Sequence, residues 1–112
     1  MKEEKRMATT LEYIEYVCEQ IKDVGTVRYK KMFGEYMVYV NDKPVLCVCD
    51  DTVYVKMLPE VREKMKEAEV GHPYDGAKEH YILDIDDADF SKEIVSVLEA
   101  VTPVPKPKKK RT

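Results

Sequence analysis

The sequence of 112 residues has no tryptophan, four glycines and three cysteines. The glycines stand at positions 25, 34, 71 and 76, so neither the GxGxxG nor the GxxxxGK phosphate-binding pattern is present. This excludes the common designs of nucleotide-dependent enzymes, and we expect no cofactor. An odd number of cysteines makes no disulfide framework, and no apolar run approaches the roughly 18 residues of a membrane span. We therefore expect a cytoplasmic protein without membrane contact.

Charge is abundant and unevenly distributed. Charged residues make up 37% of the chain and hydrophobic residues 44%, which is typical of one folded, strongly solvated domain. Of the 19 basic residues, three lie in residues 1–6 and five in residues 106–112, whereas only two of the 22 acidic residues lie there. The body between them is therefore acidic and repels phosphate backbones. We expect nucleic-acid contact to be weak and confined to the tail residues Lys106, Lys108, Lys109, Lys110 and Arg111.

Hydrophobic periodicity and turn residues predict the order α-β-β-β-(β)-α-β-α, an α+β fold with two layers in which helices pack on a mostly antiparallel sheet. The first helix is expected to begin with a capping box at Thr9 and Glu12 and to end at Gly25. Strands are expected at 27–33, 36–40, 45–49, 52–57 and 80–85, with hairpin turns at Asn41-Asp42 and Asp50-Asp51. A second helix should run from Pro59 to near Gly71, and Asp86, Asp87 and Asp89 should open a third with an apolar stripe of Phe90, Ile94, Val97, Leu98 and Val101. The expected organisation is a flexible lead-in at 1–8, one domain at 9–102 and a disordered Pro/Lys-rich tail at 103–112.

Three groups of residues suggest chemistry, and each has a simpler structural explanation. Cys47 and Cys49 lie one residue apart, which is too close for a typical zinc pair, so we interpret the thiols, including Cys18, as small buried hydrophobic groups. His72 and His80 flank a loop without a recognisable nucleophile, and we interpret them as ordinary loop residues. The acidic cluster Asp84, Asp86, Asp87 and Asp89 lacks the spacing of a calcium loop and suits helix capping. We therefore expect no catalytic residue and no metal site.

Arg28, Lys30 and Lys31 form a basic segment within the acidic body. On a strand, Arg28 and Lys30 share one face and Lys31 points to the other. Edge-strand lysines commonly protect a sheet against aggregation, and a basic strand also suits an anion or a partner protein. Both interpretations stay open at this point. The basic tail likewise suits either a weak nucleic-acid arm or a solubilising terminus.

Residues 30–56, KKMFGEYMVYVNDKPVLCVCDDTVYVK, resemble the signature of the N-terminal domain of the TfoX/Sxy family. The likeness rests on basic residues before MFG, on Tyr36 and Tyr39 in the next strand, on the Asn41-Asp42-Lys43 hairpin, and on the Asp50-Asp51 turn before Val53-Tyr54-Val55-Lys56. The motif positions are Lys31, Met32, Phe33, Gly34, Tyr36, Tyr54 and Lys56, with looser similarity across residues 9–101. The longer members of the family carry a second, helical domain, where this chain has its Pro/Lys-rich tail. The resemblance thus implies a stand-alone N-terminal domain.

The resemblance implies a non-enzymatic regulatory or interaction module with a transcription-related protein partner, since the best-known members regulate competence genes. It brings no catalytic residues. An exposed sheet edge, or aromatic residues such as Tyr36 and Tyr39, would support a homodimer. The competing hypothesis is a small-ligand domain or an uncharacterised enzyme. In that case Arg28, Lys31, Lys56 and His80 would line a site for an anionic metabolite.

Overall fold

The computed structural model describes residues 9–32 and 35–104. In chain order the elements are α1 (Leu11–Gln20), β1 (Val27–Met32), β2 (Glu35–Val40), β3 (Lys43–Cys49), β4 (Thr52–Val55), α2 (Pro59–Arg62), β5 (Val70–Gly71), β6 (His80–Leu83) and α3 (Ala88–Val101). A 3₁₀ turn at Lys22–Val24 follows α1. None of the helices in the described residues combines the length and apolar character needed to cross a membrane.

The strands form one open antiparallel sheet in the order β1-β2-β3-β4-β6-β5. The first four follow one another as a meander, and β6 pairs with β4, so that β1 and β5 are the two edges. The predicted α+β class, with helices packed on an antiparallel sheet, is confirmed.

Both predicted hairpin turns are confirmed by the backbone. Asn41 and Asp42 have φ of 52° and 68°, and Asp50 and Asp51 have φ of 55° and 53°. Two successive left-handed residues produce the turn type whose twist matches that of the flanking strands. Asparagine and aspartate tolerate this conformation better than other residues with a Cβ, because their short side chains bond locally.

The core lies between one face of the sheet and the helices α1 and α3. Alternate residues of the central strands point into it, as their period of two requires. The fully buried side chains of this core include Ile14, Val17, Ile21, Val38, Val40, Val48, Val55, Ile94 and Val95. Burying this face fixes the register of the sheet, since a slip of one residue would expose the whole set. Within residues 9–32 and 35–104, no helix packs across the other face.

The first helix begins one residue later than predicted. The N-cap is Thr10, whose hydroxyl accepts a hydrogen bond from the backbone N–H of Tyr13 at 3.1 Å. Thr9 is buried and accepts instead from the backbone N–H of Asp51 at 3.1 Å. The sequence offers two adjacent threonines, and the tertiary contact with the β3–β4 turn decides which of them caps the helix.

The second helix is much shorter than predicted, because only four residues are helical. The N–H groups of Val61 and Ala68 donate to carbonyls three residues earlier, whereas the N–H of Met65 donates to the carbonyl of Val61, four residues earlier, so the segment mixes tight and α-type turns. Val61 and Met65 are nevertheless buried. A run of mixed turns therefore places both side chains in the core without a regular helix.

The remaining elements differ from the prediction in detail. The two-residue strand β5 was not predicted, and β6 ends at Leu83 rather than at residue 85. Asp87 caps α3, since its carboxylate accepts from the N–H of Phe90 at 3.1 Å. Within α3, Val95 is buried, whereas Val101, which was expected in the apolar stripe, is 39% exposed. The buried face of α3 is therefore rotated slightly from the predicted one, so that it includes Val95 and leaves out Val101.

Candidate functional site

The sheet face without helices, here called the open face, is the first candidate surface. Strand alternation places on it the half-buried side chains of the central strands, namely Glu35, Met37, Tyr39, Cys47, Cys49, Tyr54 and Ile82. Side chains of intermediate burial on a face without a helix leave apolar area in contact with solvent. The open face is therefore available for contacts that the core does not need.

A groove of about 530 Å³ crosses the open face. Met37, Cys47 and Tyr54 form its floor, and the loop 72–79, the C-terminal end of α3 with Leu98 and Val101, and the two residues that follow contribute walls. Pro73 is buried, and Tyr74 of the same loop is 56% exposed at the groove. The site thus combines a floor built on strands with an apolar wall from a loop.

Three nitrogen-bearing side chains, Lys56, Lys78 and His80, line the groove together. The Nδ1 of His80 lies 2.7 Å from the carbonyl oxygen of Lys78, and because a carbonyl only accepts, Nδ1 carries the proton. The imidazole meets the ring of Tyr54 edge to face, with centroids 6.3 Å apart. The histidine is therefore held in one orientation by a backbone bond and an aromatic contact.

Glu35 occupies another part of the groove, beside Cys47. The Sγ of Cys47 donates to the Oε1 of Glu35 at 3.5 Å. Burial, with the negative charge of Glu35 second, raises the pKa of the Cys47 thiol to about 12. The thiol is protonated at neutral pH, so it is not an activated nucleophile.

The cysteines were predicted to be buried, and the structure places all three at intermediate burial with free thiols. Burial also raises the pKa of Cys18, to about 11. In the described part of the chain, no group of three His, Cys, Asp or Glu side chains is arranged to hold a metal ion. Cys47 and Cys49 share the open face, as their spacing predicts.

The second candidate surface is the outer edge of β1. The N–H of Asn41 donates to the carbonyl of Thr26 at 2.8 Å, so the backbone carbonyl of Thr26 points toward β2. In an antiparallel ladder this orientation alternates, and the backbone N–H and C=O groups of Val27, Tyr29 and Lys31 therefore point away from β2. Among the described residues no strand pairs with this edge. The edge is open to an added strand.

A cleft of about 510 Å³ runs between α1 and this edge. Its lining combines Cys18, Val27 and Tyr29 with charged residues of both signs, namely Glu15, Glu19, Lys22 and Arg28. Tyr29 is 40% exposed, and its ring meets the buried Tyr36 edge to face at 5.6 Å. An added strand would find apolar and aromatic groups bordered by charged side chains on its helix-facing side.

The residues of the predicted anion site are not brought together. Arg28 and Lys31 lie on β1, and Arg28 forms an exposed ion pair with Asp42 at 3.5 Å. Lys56 and His80 line the groove instead. Lys56 follows β4, and because β2 and β3 lie between β1 and β4, these two strands are about 14 Å apart. Lys78, which sequence reasoning missed, joins Lys56 and His80. Lys78 lies in a loop, and the direction of a loop side chain cannot be inferred from the periodicity of a helix or a strand.

The acidic cluster and His72 have structural contacts. Asp84 accepts from the N–H of Asp86 at 3.2 Å, and Asp86 accepts from the hydroxyl of Tyr16 at 2.6 Å. With Asp87 as the cap of α3, these contacts agree with the capping interpretation. The Nδ1 of His72 lies 2.9 Å from the carbonyl of Ala77 and closes the loop 72–77.

The family-motif residues fall into different environments. Met32, Tyr54 and Lys56 line the groove, Tyr36 is in the core, and Lys31 is exposed on β1. Phe33 and Gly34 lie outside the described residues, as do the tail residues Lys106, Lys108, Lys109, Lys110 and Arg111. Three of the motif positions therefore converge on one surface.

Comparison with known proteins agrees with the sequence resemblance. A family model described as the TfoX N-terminal domain matches residues 19–93. The chain is 37% identical over 108 residues to an uncharacterized 12.7 kDa protein in the trpE 5′ region of Spirochaeta aurantia, and the match covers 95% of this chain and 94% of that protein. The predicted resemblance is confirmed: the chain belongs to the TfoX N-terminal domain family.

Proposed function

We propose that this chain is a non-catalytic, cytoplasmic regulatory module that binds a segment of a partner protein as an added strand on β1. The observation that carries the proposal is the outward direction of the backbone groups of Val27, Tyr29 and Lys31. Strand addition uses such an edge for affinity and uses alternate side chains for specificity. Membership of a family with regulatory members supports the same conclusion.

The charges near the edge indicate the chemistry of the partner. Arg28 and Lys30 project on the open face, whereas Glu15 and Glu19 border the helix-facing cleft. A strand that alternates acidic residues, facing Arg28 and Lys30, with apolar residues, facing the cleft, complements both sides. Two copies of β1 paired with each other would instead bring like charges together. We therefore favour a different protein as partner over the homodimer.

Amide hydrogen exchange tests the proposal residue by residue. In the free chain the outward amides of Val27, Tyr29 and Lys31 should exchange rapidly, and those of Arg28 and Lys30, which donate to β2, should exchange slowly. A bound peptide with alternating glutamate and valine should slow the outward amides. Bound peptide that leaves them fast would contradict strand addition.

A charge-reversed pair of variants supplies the control. Lys30→Glu should weaken binding of the acidic peptide about tenfold, because an attractive pair becomes a repulsive one. Lys66→Glu makes the same charge change on an exposed residue between α2 and β5 and should leave binding nearly unchanged. Equal losses in both variants would mean that only the net charge matters.

The basic tail remains a separate prediction. We propose that any nucleic-acid affinity comes from Lys106 to Arg111 and falls steeply with salt. Fluorescence anisotropy with duplex DNA over a salt series, on the full chain and on a chain ending at Thr102, measures this directly. Binding that survives removal of the tail would place the contact on the folded domain.

A further inference from the structure

The groove on the open face has a lining that the strand-addition proposal does not use. We propose that it is a binding site for a small aromatic carboxylate, held with its ring on the sheet floor and its carboxylate at Lys56 and Lys78. This inference stands independently of the β1 edge. It rests on the size of the groove, on its sulfur-rich floor, and on its asymmetric charge.

The dimensions suit a small molecule. A volume of about 530 Å³ lies within the usual range of ligand sites, roughly 300–1,000 Å³. Its lining is mostly apolar, with a few polar groups, which is the usual composition of such sites. A globular protein partner would require a flatter and larger contact than this groove provides.

The floor favours an aromatic ring. Met32, Met37 and Cys47 line the groove with sulfur-bearing side chains, and Tyr54 and Tyr74 add aromatic surface. Sulfur makes favourable contacts with aromatic rings, and aromatic pairs contribute more than their buried area alone. An aliphatic chain would gain neither contribution.

The charges are separated along the groove. Lys56 follows β4, whereas the Glu35 carboxylate lies beside Cys47, whose partner Tyr54 precedes Lys56 by two residues, or about 7 Å along the strand direction. Lys56 and Lys78, with the polar imidazole of His80, therefore make one end attractive to an anion. The sequence after Val104 carries five basic residues of the same sign, so the tail of this chain is a poor occupant.

The walls of the groove are held by hydrogen bonds within the chain. The loop 72–79 is closed by the bond between His72 and the carbonyl of Ala77, and the N–H of Ala77 donates to the carbonyl of Tyr74 at 3.0 Å. The floor belongs to paired strands. Side chains held by such bonds lose less conformational freedom when a ligand binds, which favours affinity.

Isothermal titration of the full chain with 4-phenylbutyrate and with its neutral amide, 4-phenylbutanamide, tests the proposal. The carboxylate should bind at least about tenfold more tightly than the amide. The double variant Lys56→Met/Lys78→Met should remove that difference, whereas Lys66→Met, at an exposed residue outside the groove, should keep it. Methyl NMR should show shifts of Met32 and Met37 on binding and none of the core residue Met65.

Three results would overturn the proposal. Equal affinity for the carboxylate and the amide would refute the role of the lysines. Tighter binding of decanoate than of 4-phenylbutyrate would refute the preference for an aromatic ring. Absence of both heat and methyl shifts at about 10 mM ligand, where even weak binding is populated, would refute the site itself.

Discussion

Thr9 and Asp51 are joined across 42 positions of sequence by a hydrogen bond from the backbone N–H of Asp51 to the Thr9 hydroxyl, 3.1 Å long. The N–H of Thr10 returns a bond to the carboxylate of Asp51 at 3.3 Å. The start of α1 and the β3–β4 turn are therefore linked in both directions. This link explains why Thr9 is buried while Thr10 caps the helix.

Replacing the buried hydroxyl tests this link. Thr9→Val keeps the shape of the side chain and leaves the N–H of Asp51 without its acceptor, which should lower the free energy of unfolding by about 1–2 kcal/mol. Urea denaturation measures the change. The same substitution at the exposed Thr26 should alter stability by less than about 0.5 kcal/mol. Equal effects at both positions would show that the link is unimportant.

Gly25 and Asn41 form a second tight contact. A Cβ on Gly25 would lie 2.7 Å from the Nδ2 of Asn41, whose amide is held by the N–H of Thr26 and by Glu99. Gly25→Ala should therefore destabilise the chain by about 1–3 kcal/mol. In an Asn41→Gly background the clash is absent, and the cost should fall to less than half. Additive effects in this double-mutant cycle would contradict the contact.

The Cys47 thiol should react slowly with alkylating reagents. With its pKa raised to about 12, from 9.0, its thiolate is scarce at pH 8, and allowing for the greater nucleophilicity of a basic thiolate the rate should be roughly fifty-fold below that of a free thiol. Glu35→Gln removes the negative charge and should speed alkylation of Cys47. Cys18, far from Glu35 and next to Glu15, serves as the internal reference when mass spectrometry follows both sites.

Stability should decline in alkali. Burial raises the pKa of Cys18, Cys47 and Tyr13 above the values of the unfolded chain, so the folded chain retains protons that the unfolded chain releases. Their contribution is complete below about pH 9, the ordinary thiol value, and is lost as pH rises above it. Melting temperatures between pH 8 and pH 11 should fall, and Cys47→Ala should reduce the slope. A flat profile would contradict these shifts.

The sheet could be predicted because its signals are local. Alternating apolar residues such as Val38 and Val40 indicate the strands, and paired left-handed residues at Asn41-Asp42 locate a turn between them. The length of α2 could not be predicted, since Val61, Met65 and Ala68 suit both a helix and a series of tight turns. The choice depends on contacts with α3, which the local sequence does not contain.

The candidate surfaces show the same limit. The unpaired edge of β1 follows from the strand order, and the basic segment at Arg28 and Lys30 was visible in the sequence. The groove could not be recognised from the sequence, because Lys56, Lys78 and His80 come from a strand end, a loop and another strand. Only the pairing of β4 with β6 places Lys56 and His80 side by side.

The separation of the two sheet faces has a consequence for the evolution of the family. Every strand residue in the fully buried set lies on the side of the sheet that faces α1 and α3, whereas the side chains of the open face are only half-buried. Substitutions on the open face should cost less stability than substitutions in the core, and they alter the groove directly. A domain built in this way acquires new ligands or partners by altering one face of its sheet, while the opposite face preserves the fold.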